Sequence, residues 1–136
     1  MKAHALMKTN SKLVLAVLVG VSIGILSGIS IRGLQVKTPP GYLIAEAEIT
    51  DPAALEKYGE KLAETLAPFH HHYVVRTSKV QALEGDAPKG RIVVIAFDSA
   101  EEARAWYDSP AYAAIRPIRQ SAAKSRVFIV EGVAPQ

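Results

Sequence analysis

The sequence predicts an α+β domain over residues 42–132, with its strands and helices in the order β-α-β-β-α-β. Three observations predict this order. Apolar side chains alternate along the strand segments, two segments with helical spacing begin at helix-capping residues, and a turn-rich connection separates the two central strands. This is the split-βαβ, or ferredoxin-like, pattern, in which both helices cover one face of an antiparallel sheet.

The first strand and the first helix are predicted from the alternation at residues 42–49 and the caps that follow. Asp51 is a favourable N-cap, Pro52 suits the first helical turn, and Pro68 marks the end of the helix. The helix should therefore lie on the sheet with one apolar face. The residues that recur at helical spacing on this face are Leu55, Tyr58, Leu62 and Leu66.

The middle of the chain predicts a hairpin. Residues 70–80 alternate as a strand, and residues 84–90 are rich in turn formers. Residues 91–97 form a nearly continuous apolar run, which is typical of a central strand buried on both faces.

The last third of the domain predicts a second helix and a final strand. Ser99 and Glu102 have the spacing of a capping box, and the helix they open runs to about Tyr107. Ser109 and Pro110 break it, a short helical stretch follows to about residue 123, and residues 126–131 form the last strand. One sheet face stays uncovered, and its branched aliphatic side chains predict a two-fold homodimer, because large exposed apolar patches are rare in monomers.

The N-terminal residues predict a membrane-targeting segment. Residues 13–31 carry no charge and would span roughly 28 Å as a helix, close to the roughly 30 Å hydrocarbon core of a bilayer. Residues 1–32 are therefore interpreted as a signal peptide or a membrane anchor helix, and the length favours the anchor. Residues 33–41 read as a linker and residues 133–136 as a tail. Three preceding lysines place the domain on the outer, periplasmic or extracellular, side of the cell membrane, or secreted after cleavage.

Charge and composition exclude several functions. Residues 41–136 carry 11 Lys and Arg against 13 Asp and Glu, a net charge of −2. A nucleic-acid-binding protein needs a basic surface to neutralise phosphates, so no nucleic-acid partner is expected. The chain has no cysteine and therefore no disulfide, thiolate metal site or cysteine nucleophile.

Several runs of residues carry a family resemblance, which covers about residues 41–132. They include the motifs Phe-x-Ser at 97–99 and Trp-Tyr-x-Ser-x-x-Tyr at 106–112, together with residues 41–45, residues 50–52 and Arg119. The sequence resembles the domain-of-unknown-function 1330 family. That family is similar in fold to the dimeric α/β-barrel superfamily, which includes antibiotic-biosynthesis monooxygenases and muconolactone isomerases. The resemblance implies a ferredoxin-like dimer with a cavity between sheet and helices, and no assigned substrate.

The aromatic corner at residues 106–112 has two interpretations. Its rings could line a pocket for an aromatic or apolar ligand, with the tyrosine hydroxyl groups orienting that ligand. Alternatively, they pack helix against sheet. The pocket interpretation follows the resemblance, and it assigns ligand binding to Arg76, Trp106, Ser109 and Tyr112.

Titratable residues supply the candidate chemistry. Cofactor-free acid–base catalysis in a desolvated pocket needs at least one such group. The three consecutive histidines at 70–72 could include a general base, or His70 and His72 could hold a metal with a third ligand. Exposed histidines at the start of a strand are the simpler alternative, so neither a metal nor a cofactor is expected. The predicted catalytic residues are Tyr58, His72, Tyr107 and Arg119.

The arginines likewise have two interpretations. Arg76, Arg91 and Arg119 could bind a ligand carboxylate through their guanidinium groups. They could equally form salt bridges with Glu46, Glu48 or Asp98. The favoured function is a membrane-anchored or exported dimer that binds a small apolar or aromatic molecule, with cofactor-free isomerase or monooxygenase-like chemistry as the candidate activity. The alternative is a non-catalytic envelope module for binding or assembly.

Overall fold

The structure, a computed structural model, describes residues 37–136, which belong to one compact unit. The predicted hydrophobic helix at residues 13–31 lies outside the described residues, as does the segment at 1–32 that contains it. Within residues 37–136, no helix combines the length and the apolar character that crossing a bilayer requires.

The described residues form a four-stranded antiparallel sheet and three helices, an α+β ferredoxin-like fold. The strand order is β2-β3-β1-β4, so β1 and β3 lie at the centre. The elements in chain order are β1 (Gly41–Ile49), α1 (Pro52–Leu66), β2 (His71–Thr77), β3 (Arg91–Phe97), α2 (Ala100–Tyr107), α3 (Pro110–Ala122) and β4 (Ala123–Glu131).

The register of β1 defines the two faces of the sheet. Leu43 lies opposite Ile95 of β3 and Ile129 of β4, and all three pack in or against the core beneath the helices. Because side chains alternate along a strand, Ile44 and Glu46 point to the other face, as the sequence predicts. The core holds one dominant side chain, Trp106, which is 1% exposed.

Three side chains begin the helices as their types predict. The side chains of Asp51, Ser99 and Ser109 accept hydrogen bonds from the backbone amides three residues on, at 3.1, 3.1 and 3.2 Å. The capping box at Ser99 is only half formed. The Glu102 carboxylate instead accepts the amides of Asp98 and His70, at 3.0 and 3.1 Å, and so connects the start of α2 to the residue before β2.

Three boundaries differ from those predicted from the sequence. The stretch after Pro110 is a full helix of 13 residues, longer than α2, and it continues through Pro117. Strand β4 begins at Ala123, three residues early, because it pairs with β1 along its whole length to Ile49. Strand β2 ends at Thr77, because that residue already lies opposite Ile92, near the start of β3, and no partner strand remains beyond it.

A β-bulge in β2 changes which side chains share a face. The register with β3 shifts between Tyr73 and Val75, and Val74 is 51% exposed. Tyr73 and Arg76, three residues apart, therefore both lie opposite helix-facing residues of β3. Strict alternation would place Arg76 on the same face as His72, and the bulge separates them.

Candidate functional site

A cavity of about 90 Å³ lies between the sheet and the helices. Half of its lining residues are aliphatic and come from β1, β3, β4 and α1, and Trp106 closes one side. Such a lining is typical of ligand pockets. The apolar walls hold the body of the ligand, and the few polar groups fix its orientation. The polar side chains in the lining are Tyr58, Tyr73, Arg76, Arg91, Tyr112 and Arg119.

A hydrogen-bonded chain of three side chains runs along this cavity. The Tyr58 hydroxyl donates to the Tyr112 oxygen at 3.3 Å, and Arg119 Nε donates to the same oxygen at 3.2 Å. Tyr58 comes from α1, whereas Tyr112 and Arg119 lie two helical turns apart on one side of α3. The chain thus links both helices at the point where they meet the sheet.

The Tyr112 hydroxyl is the free donor of this chain. A hydroxyl oxygen has two lone pairs, and both are engaged by Tyr58 and Arg119. Its own proton is therefore available for an acceptor on a ligand. The arrangement presents one O–H donor, supported by a guanidinium, to the cavity.

Burial keeps Tyr58 protonated. Desolvation, followed by the neighbouring Tyr112 hydroxyl, raises the pKa of Tyr58 well above its ordinary value of 10.0, and the opposing effect of Arg119 is smaller. Tyr58 therefore acts as a hydrogen-bond donor at neutral pH and is a poor base there.

Arg119 is a buried cation without a carboxylate partner among the described residues. Only 8% of it is exposed. Its Nη1 donates to Ser125 Oγ of β4 and its Nε to Tyr112, while no carboxylate within residues 37–136 approaches it to 4.0 Å. A buried charge with only neutral partners is costly, and an anion in the cavity would offset that cost.

Trp106 serves as both core residue and cavity wall, so its two interpretations do not exclude each other. Its indole Nε1 donates to Thr65 Oγ1 at 3.1 Å, and Thr65 in turn donates to the Leu62 carbonyl at 2.8 Å. The ring lies 4.1 Å from that of Tyr112 and 5.8 Å from that of Phe97, measured between centroids. These contacts hold Trp106 and Tyr112 in fixed positions.

The structure brings five of the eight predicted site residues together. The five that line the cavity are Tyr58, Arg76, Trp106, Tyr112 and Arg119.

The other three lie elsewhere. His72 is opposite Ala96, on the sheet face away from the helices, so it faces away from the cavity. Tyr107 is half-buried beside Tyr112 and beneath the Arg116 guanidinium, 5.0 Å away, but outside the cavity lining. Ser109 is engaged as the N-cap of α3.

The histidines make local contacts. His70 Nδ1 lies 3.0 Å from Asp98 Oδ2, and the His71 ring contacts the Phe69 carbonyl through Nδ1 at 2.9 Å. Within the part of the chain that the structure describes, no group of three or more His, Asp or Glu side chains is placed to hold a metal ion.

Two further residues at the site were not among the predicted site residues. Tyr73 and Ser125 were not considered from the sequence, and neither position carries a local signal. Tyr73 reaches the cavity at an edge strand, and Ser125 meets Arg119 only because β4 begins early. Arg91 was considered only as a possible carboxylate ligand or salt-bridge partner, and it lines the cavity as the first residue of β3.

Fold and cavity together define a class: a ferredoxin-like domain with a pocket between one sheet face and its helices. The chain belongs to the DUF1330 family, a domain of unknown function, whose family model matches residues 40–133. No curated protein matches the sequence.

Solved structures with the same fold share little sequence with this chain. A protein of unknown function from Rhodopseudomonas palustris, RPA0582, has 16% identity and a TM-score of 0.57, over 71% of this chain and 85% of that one. SnoaB, a cofactor-independent oxygenase from Streptomyces nogalater, has 14% identity and a TM-score of 0.52, over 73% and 96%. A dimeric ferredoxin-like protein of unknown function from Jannaschia sp. CCS1 has 12% identity and a TM-score of 0.50, over 68% and 98%. Similarity at these identities establishes the fold alone.

Proposed function

We propose that this domain binds a small organic molecule in the cavity and acts on it without a cofactor, as an isomerase or a monooxygenase-like enzyme. One observation carries the proposal. The hydrogen-bonded chain of Tyr58, Tyr112 and Arg119 is buried and lines a cavity whose other walls are mostly apolar. Structural packing alone does not require a guanidinium at this place.

The chemistry follows from what these groups can stabilise. A ligand carbonyl or phenol oxygen placed at Tyr112 would accept the hydroxyl proton in a hydrogen bond. Negative charge that develops on that oxygen, as in an enolate, is stabilised by the adjacent Arg119 in a site of low dielectric constant. Enolate formation is the central step of isomerisation next to a carbonyl. It also suits cofactor-free oxygenation, in which the substrate itself must supply electrons to O₂.

The lining also limits the class of substrate. No His, Asp or Glu lines this cavity among the described residues, and Tyr58 is a poor base at neutral pH. The site therefore suits a substrate with an acidic proton, such as a phenol or a 1,3-dicarbonyl compound, which passes that proton to solvent water as it binds and leaves its oxyanion to Tyr112 and Arg119.

The proposal includes a homodimer formed through the uncovered sheet face. At its centre Ile44 lies opposite both Val94 and Phe128, and Phe128 and Val130 are 40% and 39% exposed. An apolar surface of this kind favours pairing with a second copy. The neighbour from Jannaschia, described as dimeric, is consistent with this arrangement.

We also propose that residues 13–31 place the domain outside the cytoplasm, either anchored to the membrane or released after cleavage. The uncharged segment with lysines before it supports this localisation. The mass of the mature protein distinguishes the two forms, because cleavage removes about 30 residues. A full-length protein in the soluble cytoplasmic fraction would contradict both.

The enzymatic proposal is tested by ligand screening of the purified protein with a thermal-shift assay, since a ligand that binds the native state raises its apparent stability. The library consists of phenols, enolisable ketones and analogues of both that lack the ionisable proton. We expect stabilising compounds to lose their effect in Tyr112→Phe and Arg119→Gln, but not in Tyr107→Phe, the matched control outside the cavity. Solvent deuterium incorporation and O₂ consumption then distinguish isomerase from oxygenase chemistry.

One observation favours a non-catalytic binding or assembly module. The cavity of about 90 Å³ is well below the roughly 300 Å³ at the lower end of ligand pockets, because Trp106 fills much of the space. If every compound that stabilises the protein also stabilises the Tyr112→Phe and Arg119→Gln variants equally, the cavity is not the site and this second function is preferred.

A further inference from the structure

We infer that the ligand of this cavity is a small carboxylate with a compact apolar body, and that Arg76 and Arg91 bind its carboxylate at the cavity mouth. The inference rests on the proposed function, because it assumes that the cavity holds a ligand. It adds the chemical class of that ligand and a second recognition point, distinct from Tyr112 and Arg119.

The charge of the lining is the first observation. Three arginines and no acidic residue line the cavity, although the domain as a whole is slightly acidic. Such a local excess of one sign beside apolar walls attracts a ligand of the opposite sign.

The β-bulge is the second observation. It turns Arg76 to the helix-facing side of the sheet, opposite Val93, and Arg91 lies two residues before Val93 on the same side. The two guanidinium groups therefore belong to adjacent strands and one sheet face. Both also line an outer cleft beside α1, which shares Leu55 and Gly59 with the cavity and is therefore taken as its mouth.

The third observation concerns salt bridges. Two of the three acids considered as partners from the sequence are engaged elsewhere: Glu46 pairs with Arg126 at 2.9 Å, and Asp98 lies 3.0 Å from His70. The third, Glu48, points to the sheet face away from the helices and from both arginines.

Glu56 and Glu60 of α1 line the same outer cleft, yet no carboxylate of the described residues lies within 4.0 Å of Arg76 or Arg91. Both arginines are therefore available for an anion that enters the cleft.

The geometry separates the two ends of the ligand. Arg119 already uses Nε and Nη1 for Tyr112 and Ser125, whereas the guanidinium groups at the mouth retain their donors for a planar carboxylate. Guanidinium and carboxylate match in two parallel hydrogen bonds, which a lysine could not reproduce. The carboxylate would thus stay at the mouth, while the apolar body, with any enolisable oxygen, reaches towards Trp106 and Tyr112.

The test measures calorimetric binding of three probes to the purified full-length chain at low salt: benzoate, benzamide and inorganic phosphate. Isobutyrate and isobutyramide repeat the comparison with a smaller body. We expect the carboxylate to bind about tenfold or more tightly than its amide. In Arg76→Gln and Arg91→Gln this ratio should fall towards one, with amide binding unchanged. Arg104→Gln, which removes an exposed arginine paired with Asp108 outside the cavity, should keep the wild-type ratio.

Each outcome decides a different statement. Equal binding of acid and amide would overturn the carboxylate inference and leave the proposed function intact, since a ligand still binds. Absence of binding by every organic probe would also overturn the carboxylate inference, whereas the proposed function would fail only if the thermal-shift screen likewise found no ligand. Phosphate binding as tight as benzoate binding would show that the apolar body contributes nothing, and would also overturn the inference. If a variant does not fold, the salt dependence of wild-type binding decides: benzoate affinity must weaken with salt while benzamide affinity does not.

Discussion

Tyr112 connects the protein core to the candidate site. Its ring is 2% exposed and packs on Trp106, whereas its oxygen accepts from Tyr58 and Arg119 beside the cavity. The sequence indicated the importance of this tyrosine through the aromatic motif. It did not indicate the partners, because Tyr58 lies 54 residues earlier and meets Tyr112 only when α1 packs against α3.

Removing the Tyr112 hydroxyl should affect stability and ligand binding together. In Tyr112→Phe, the Tyr58 hydroxyl and Arg119 Nε lose their common acceptor in a buried place, which costs about 1–3 kcal/mol. Urea denaturation of wild type and variant measures the change in the free energy of unfolding. Tyr107→Phe, whose hydroxyl lies outside this chain, is expected to change it by less than about 0.5 kcal/mol. Equal losses in the two variants would show that the hydrogen-bonded chain has no special role.

The raised pKa of Tyr58 predicts that the folded state loses stability at alkaline pH. The pKa of its buried hydroxyl is raised in the folded state by desolvation, so below about pH 10 both folded and unfolded chains keep the proton and its contribution is complete. Above that pH the unfolded chain releases the proton first, and stability falls by up to about 1.4 kcal/mol per pH unit. The stability curves of wild type and Tyr58→Phe, measured in urea from pH 8 to 11.5, should diverge above pH 10. Parallel curves would contradict the burial of an un-ionised Tyr58.

At the level of elements, the sequence predicted those helix starts that depend only on residues a few positions apart. Asp51 and Ser99 cap helices because their side chains reach amides three residues away, a range that the sequence displays directly. The bulge at Val74 has no such signal, because it depends on how β2 aligns with β3. That one displaced residue explains why Arg76 reaches the cavity, whereas His72, which precedes the bulge, faces away because it lies opposite Ala96. The position of Arg76 and Arg91 at the candidate site was therefore only partly predictable from the sequence.

Two glycines with positive φ provide a matched test of the strand connection before β3. Gly90 has φ +78°, and a Cβ there would collide with the Ala47 carbonyl, whereas Gly85 has φ +70° and open space around it. Gly85→Ala should cost about 1–2 kcal/mol for the left-handed backbone alone. Gly90→Ala should cost clearly more, because the β1–β3 pairing must also shift. Chemical denaturation of both variants measures the difference, and similar values would show that β3 does not pack as closely on β1 as the structure has it.

At the level of the whole molecule, the alternation in the sequence predicted both faces of the sheet. Leu43 and its neighbours two residues apart lie under the helices, and Ile44 lies on the uncovered face. Element order and face assignment were predictable because they depend on periodicity, which is a property of each segment. The cavity was not, since its size depends on how completely Trp106 fills the space between α2, α3 and the sheet.

The uncovered face predicts the oligomeric state. Ile44 lies between Val94 and Phe128 on the two neighbouring strands, so a lysine there would put a charge at the centre of the proposed dimer interface. Residues 37–136 alone should sediment as a dimer, because they contain the whole of the uncovered apolar sheet face. Ile44→Lys should sediment as a monomer with an unchanged circular dichroism spectrum, since it removes no core contact.

Ala114→Lys, on the exposed side of α3, is the matched control and should remain a dimer. Sedimentation equilibrium over a range of concentrations makes the comparison quantitative, because loss of an apolar contact and burial of an unpaired charge both raise the dissociation constant. A dimeric Ile44→Lys would place the interface on another surface. A monomeric wild type would leave the apolar sheet face for a different partner, and the cavity would then have to function within a single chain.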